Sequence, residues 1–140
     1  MSVAPFTRRI PKRFKKTITF AGGSGTGAVG TVAVGTVTGS ILFTHLTARC
    51  TTLLASSGGG TLELGTANNT AGLIPLTTAT DIDADEFWQD TTPEVKISPA
   101  ILNQAVCANI IATVATGDIT AGVIEIIGYW LPLSDDGNLA

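Results

Sequence analysis

Helical pattern is what the chain lacks most. No window longer than about ten residues keeps apolar positions at i, i+3, i+4 and i+7 without a glycine or a β-branched cluster, leaving at most a single turn over 85–90. Charge is scarce as well: 14% of the 140 residues are Asp, Glu, Lys or Arg, against roughly 25% in an ordinary soluble domain. With 44% of the chain apolar, so little charge suggests surface that is hidden against partners. His45 is the one histidine, and Cys50 and Cys107 stand far apart with no CxxC spacing, which argues against a zinc site. Both cysteines sit in apolar stretches and read as small hydrophobes, with a disulfide between them left open. No apolar run approaches the roughly 18 residues of a membrane span. No hydrophobic segment follows the basic N-terminus either, so the expectation is a soluble, unsecreted protein with no membrane partner.

The charge that is present is segregated. Arg8, Arg9, Lys12, Arg13, Lys15 and Lys16 are six of the eight cations, and all precede residue 17. From Thr17 onward only Arg49 and Lys96 face eleven acids, so the body carries 2 − 11 = −9 and the first sixteen residues +6. Pro5 and Pro11 exclude a long uninterrupted helix there. The expectation is an extended basic arm over 1–16, with Phe6, Ile10 and Phe14 available to anchor it, on a single acidic domain over 17–140. Such an arm suits an acidic surface: a neighbouring subunit, a protein lattice or nucleic acid.

Beyond Lys16 the chemistry turns to β-branched residues and glycine. Residues 17–20 read as a strand and 21–25 as a flexible loop. Residues 30–38 and 41–54 read as a hairpin turned by Gly39 and Ser40, with Leu42, Leu46 and Leu54 on one face and Phe43, His45 and Arg49 on the other. Short strands are expected over 61–65, 72–76, 86–90 and 95–98. The longest hairpin is expected to join 105–116 to 119–133 through Gly117 and Asp118. In its second strand Val123, Ile127, Tyr129 and Leu131 take one face, and Ile124, Ile126 and Trp130 the other. A strand apolar on both faces is covered twice; one cover is the core, and a neighbouring subunit is favoured for the other. The fold class is therefore all-β: an antiparallel, jelly-roll-like sandwich or barrel.

Motifs that could carry chemistry end early. Residues 25–30 spell GxGxxG after a strand, but the β-branched 31–38 stand where a helix must receive the pyrophosphate, and the first acid downstream is Glu63. Asp81, Asp83 and Asp85 match positions 1, 3 and 5 of a calcium loop, yet Glu86 and Thr92 occupy the places of its glycine and terminal glutamate. His45 lies mid-strand with no nucleophile elbow around it. No catalytic, cofactor-binding or metal-binding residue is assigned, and the chain is not read as an enzyme.

The order of features resembles small tailed-bacteriophage virion proteins of the capsid decoration or head auxiliary type. The features are Lys-Thr-Ile-Thr-Phe at 16–20, a Gly/Val hairpin, Thr-Ala-Thr-Asp-Ile-Asp-Ala at 78–84 leading to Phe87 and Trp88, and a closing hairpin ending in Tyr129, Trp130, Leu131 and Pro132. The resemblance implies a β subunit that clusters on a capsid lattice, commonly as trimers, and reinforces it. The major capsid protein or neighbouring virion subunits would be its partners, the virion its location after assembly in the host cytoplasm, and no cofactor its need. On the residues' own evidence, Arg8, Arg9, Lys12, Arg13, Lys15 and Lys16 would bind the partner, and Tyr129, Trp130 and Leu131 would bury an inter-subunit surface. Two alternatives stand beside this: a tail, neck or head-completion ring subunit, and a nucleic-acid-binding module whose arm grips phosphates.

Overall fold

The structure is a computed structural model that describes residues 10–96 and 101–140. Two long β-branched runs organise it: β4 (Ile41–Ser56) and β10 (Ile119–Pro132), paired antiparallel along most of their lengths. β1 (Lys12–Thr19) covers the free side of β10, while β7 (Phe87–Trp88) and β8 (Ile101–Val106) share the far side of β4. The second sheet has the order β2 (Gly30–Gly35), β9 (Ile110–Ala115), β5 (Thr61–Thr66), β6 (Asn69–Thr78). A ribbon of β3 (Val37–Thr38) and β11 (Asn138–Leu139) brings Leu139 into the core. Leaving that ribbon aside and counting β7 and β8 as one edge, the principal strands run 1-8-3-6 in one sheet and 2-7-4-5 in the other. That is the connectivity of a jelly roll, so the expected all-β fold resolves as a sandwich.

The core fills the space between the sheets. Phe43, Leu46, Ala48 and Cys50 of β4 and Ile124, Ile126 and Trp130 of β10 face Val32, Val34, Leu62, Leu64, Ile74, Ala112 and Val114 from the other layer. Each large aliphatic or aromatic side chain withdrawn in this way contributes roughly 1.5–3 kcal/mol. Gly128 is required by this packing, since a Cβ there would stand 2.7 Å from the Phe43 ring. The buried Trp88 indole N–H donates to Thr77 Oγ1 at 2.8 Å, tying β7 of one sheet to β6 of the other. The Thr77 hydroxyl in turn faces the carbonyls of Pro75 and Asp90, so this buried polar pair is satisfied.

Several expectations change. The boundary at residue 17 falls inside β1: Lys12–Thr19 are in register with β10, so Lys12, Arg13, Lys15 and Lys16 belong to a sheet and not to an extended arm. The physical reason is the alternation of Phe14, Lys16 and Ile18, which offers β10 an inward row despite the flanking cations. Arg8 and Arg9 lie outside the described residues. Neither expected long hairpin forms, because β2 and β9 sit in one sheet while β4 and β10 sit in the other, and both turns cross between layers. Residues 105–116 break at 107–109 into β8 and β9, the short helical turn falls at Ala79–Asp81 and not at 85–90, and 97–98 of the expected strand 95–98 are outside the described residues. In β4 the register slips between the Tyr129↔His45 and Trp130↔Phe43 pairs, leaving Thr44 as a bulge. Phe43 therefore points inward with Leu46, and Leu42 points outward, reversing the expected parity.

Two outcomes follow for stability. A chain beginning at Phe20 should be at least about 3 kcal/mol less stable than one beginning at Lys12, because Ile18 and the β10 edge become uncovered; equal melting of the two would show that β1 is dispensable. Gly128→Ala should cost about 1–3 kcal/mol by overpacking against Phe43, and the additional change Phe43→Leu should recover part of that loss in chemical denaturation.

Candidate assembly surface

Residues directly opposed in an antiparallel ladder point to the same face, so the register reads out the outer side of the five-stranded sheet row by row. One row runs Arg13, Tyr129, His45, Leu102, and a parallel row runs Leu131, Leu42, Ala105. A third holds Lys15, Ile127 and Thr47, and a fourth holds Thr17, Glu125, Arg49 and Phe87. Leu42, His45, Ile127, Tyr129 and Leu131 are half-buried by their neighbours within the sheet, and Leu102 is 50% exposed. The His45 and Tyr129 rings lie 4.7 Å apart, tilted by 35°. No strand of the described residues forms a third layer over this face.

Charge borders the apolar rows. Lys15 Nζ pairs with Glu125 Oε2 at 2.7 Å, and Arg49 with Asp85 at 2.9 Å. The hydrogen bond from Lys15 holds the Glu125 carboxyl below its ordinary range, helped by the charges of Lys15, Arg49 and Arg13. Both pairs are solvent-accessible, and contacts of that kind add little to stability because water screens them. Lys12 lies 5.2 Å over the Trp130 ring, shielding the indole edge where β1 ends the sheet.

On the opposite side, the segment after β6 carries Asp81, Asp83, Asp85, Glu86, Asp90 and Glu94. Several of these carboxylates organise the chain locally. Asp83 N–H donates to Glu86 Oε2 at 2.9 Å, Thr92 N–H donates to Asp90 at 2.7 Å, and Asp85 adopts φ 67° beside Arg49. Among the described residues no group of three or more His, Cys, Asp or Glu side chains is placed to hold a metal ion.

The GxGxxG segment packs as a loop against the β9–β10 connection. Ile119 N–H donates to Gly27 O at 2.7 Å, Val29 N–H donates to Asp118 Oδ1 at 2.9 Å, and a Cβ on Gly27 would collide with the Ile119 carbonyl. The glycine there serves a close backbone approach, and β2 follows it where a nucleotide site needs a helix.

Of the nine residues expected to meet partners, Arg8 and Arg9 lie outside the described residues. Lys12, Arg13, Lys15 and Lys16 are gathered along β1. Tyr129 and Leu131 stand on the outer face, but Trp130 does not: at 3% exposure it is a core residue, because β10 turns its even positions inward. Ile127 joins Tyr129 and Leu131 as the alternation of β10 implied, while Leu42 and Leu102 complete the face and were not expected there. The apolar run Ile41, Leu42, Phe43 carried a two-sided signal for Leu42, while Leu102 had none, lying before the expected strand.

The cysteines part company. Both are free; Cys50 is buried, with Sγ 3.0 Å from the Thr52 carbonyl, and Cys107 is exposed. Burial pushes the Cys50 thiol above its ordinary pKa.

No family model matches the chain, and no curated protein matches it. Among solved structures, the chain is similar to one from the capsid asymmetric unit of cyanophage Pam1, at 17% identity, with 94% of each chain covered and a TM-score of 0.45. A likeness at that level assigns no function.

Cys107 should react with a thiol reagent in the folded protein at neutral pH, while Cys50 should react only after denaturation. A native count of two reactive thiols per chain by absorbance titration would contradict the burial of Cys50.

Proposed function

We propose that the protein is a structural subunit of a tailed-phage virion, a capsid decoration protein that oligomerises on the head lattice and stabilises it. The observation that carries this reading is the outer face of the five-stranded sheet, where Leu42, Leu102, Ile127, Tyr129 and Leu131 form contiguous apolar rows without a covering layer among the described residues. Soluble monomers rarely leave such patches in water, and patches rimmed by charge mark protein interfaces. The low overall charge of the chain agrees with a subunit that spends its surface on neighbours.

The jelly-roll connectivity supports the reading at the level of architecture, since single jelly rolls recur in viral shells, although the fold alone hosts many functions. The residues that carry the family resemblance divide in the same way. Ile82, Trp88 and Trp130 are core residues that specify the fold, while Tyr129 and Leu131 belong to the face. In this reading the face meets the capsid lattice, Arg8 and Arg9 add to the cations that bind acidic neighbours, and the subunits cluster as trimers.

The test replaces Tyr129 and Leu131 by serine. Both are half-buried, so the variant should keep the far-ultraviolet circular dichroism of the native chain. It should bind particles that lack the protein at least tenfold more weakly, while the native chain saturates them at a copy number that scales with the lattice. Undiminished binding by the variant would remove the face from the interface. Saturation at a single ring's worth of copies would place the subunit at the neck or tail.

A further inference from the structure

We infer that the edge strand β1 docks on the acidic flank of a second copy of this chain, joining subunits head to tail. The inference rests on the self-association in the proposed function and specifies its contact. The sheet orders set β1 and β2 at one lateral edge of the sandwich and β6, β7 and β8 at the other, so the two flanks are the opposite sides of one subunit.

Their charges are opposed. β1 holds Lys12, Arg13, Lys15 and Lys16 with no acid, a formal +4. Residues 81–94 hold six acids with no cation, a formal −6. Among the described residues Arg13 and Lys16 on one flank, and Asp81, Asp83 and Glu94 on the other, make no ion pair. A β1-to-β1 contact would set +4 against +4, and the same repulsion forbids two acidic flanks from meeting. The combination left is heterologous, one flank type against the other, which generates a ring when the rotation closes.

Two further observations distinguish a docking edge from a merely solvated one. β1 pairs with β10 over eight positions without a register shift, so its outer row of N–H and C=O groups is straight and uninterrupted. The edge strand β6, in contrast, carries Pro75 and shifts register twice against β5, two devices that blunt an edge. Exposed large apolar side chains also accompany both flanks: Ile10 at 70% and Leu133 at 51% line a cleft with Lys12, while Leu76, Leu102 and Val95 at 49%, 50% and 70% sit on the other side. Charge can orient such a contact, and the apolar groups gain from being buried in it.

The competing account is that the cations of β1 act only to keep edges apart. The two accounts predict opposite signs. The experiment measures solution mass by light scattering on the full chain at low salt. It compares Lys12→Glu with Arg13→Glu, Asp81→Lys with Asp83→Lys, and the combined fourfold variant. All four positions are exposed, and folding is checked by thermal melting. Each pair of reversals should weaken association at least tenfold, the first by taking β1 from +4 to 0 and the second by taking the acidic flank from −6 to −2, and the combined variant, left with flanks of 0 and −2, should stay monomeric. Native chain should also dissociate as salt rises past the range where the Debye length falls to roughly 8 Å, a readout independent of any substitution. Stronger association of the β1 variant, a combined variant that associates like the native chain, or a native mass insensitive to salt would each overturn the contact. A monomeric native chain that still saturates particles would overturn the head-to-tail contact and leave the decoration reading standing; an oligomer that occupies no particle would do the reverse.

Discussion

The pairing of β4 with β10 is the constraint on which the rest of the molecule depends. Both strands are central in their sheet, so each must satisfy its backbone on two sides and bury an inward row between them. The close approach of Phe43 to Gly128 sets how tightly the two strands lie. The bulge at Thr44, whose hydroxyl lies 3.1 Å from the Tyr129 carbonyl, keeps Phe43 and Leu46 on the same inner side despite their odd spacing. With that register fixed, β1 has a defined row to pair with, and the outer rows of the sheet line up across four strands.

This also decides which parts of the fold the sequence revealed. The division of β10 into an Ile124, Ile126, Trp130 face and a Val123, Ile127, Tyr129, Leu131 face was legible, because unbroken alternation maps directly onto the pleat. The same logic failed in β4, where a bulge adds one residue and flips every position on one side of it; nothing in the order of Leu42, Phe43 and Thr44 announces that insertion. Sheet partnership was illegible for another reason. Gly117 and Asp118 make a tight reversal whether the flanking strands pair with each other or cross to opposite layers, so local turn chemistry could not separate a hairpin from a jelly-roll connection.

The basic N-terminal stretch shows how charge can mask pattern. Six cations within sixteen residues suggest an extended basic arm, yet Phe14, Lys16 and Ile18 keep a period of two, and a single buried residue, Ile18, helps seat the strand on β10. Lys12 and Lys16 occupy inward positions at the sheet's edge, where long aliphatic stems can cover apolar surface while the ammonium groups reach water; Lys12 over Trp130 is the visible case. Of the candidate partner residues chosen from charge, then, Lys12, Arg13, Lys15 and Lys16 belong to a strand and not to an arm.

The same arrangement explains how one small sandwich can offer several surfaces without their conflicting. Inward positions of β10 hold the core, outward positions supply an apolar face, and the strand beyond it supplies an edge, so neighbouring residues such as Tyr129 and Trp130 serve opposite sides by parity alone. An edge strand free of bulge or proline is a hazard for a monomer, because it offers a template to any extended chain. Like charge along that edge repels its own copies, and opposite charge on the far flank gives it one favourable orientation. Segregating lysine and arginine on β1 from the aspartates after β6 therefore suppresses unspecific edge pairing through the same electrostatics that favour a directed contact, and no separate device is needed for either.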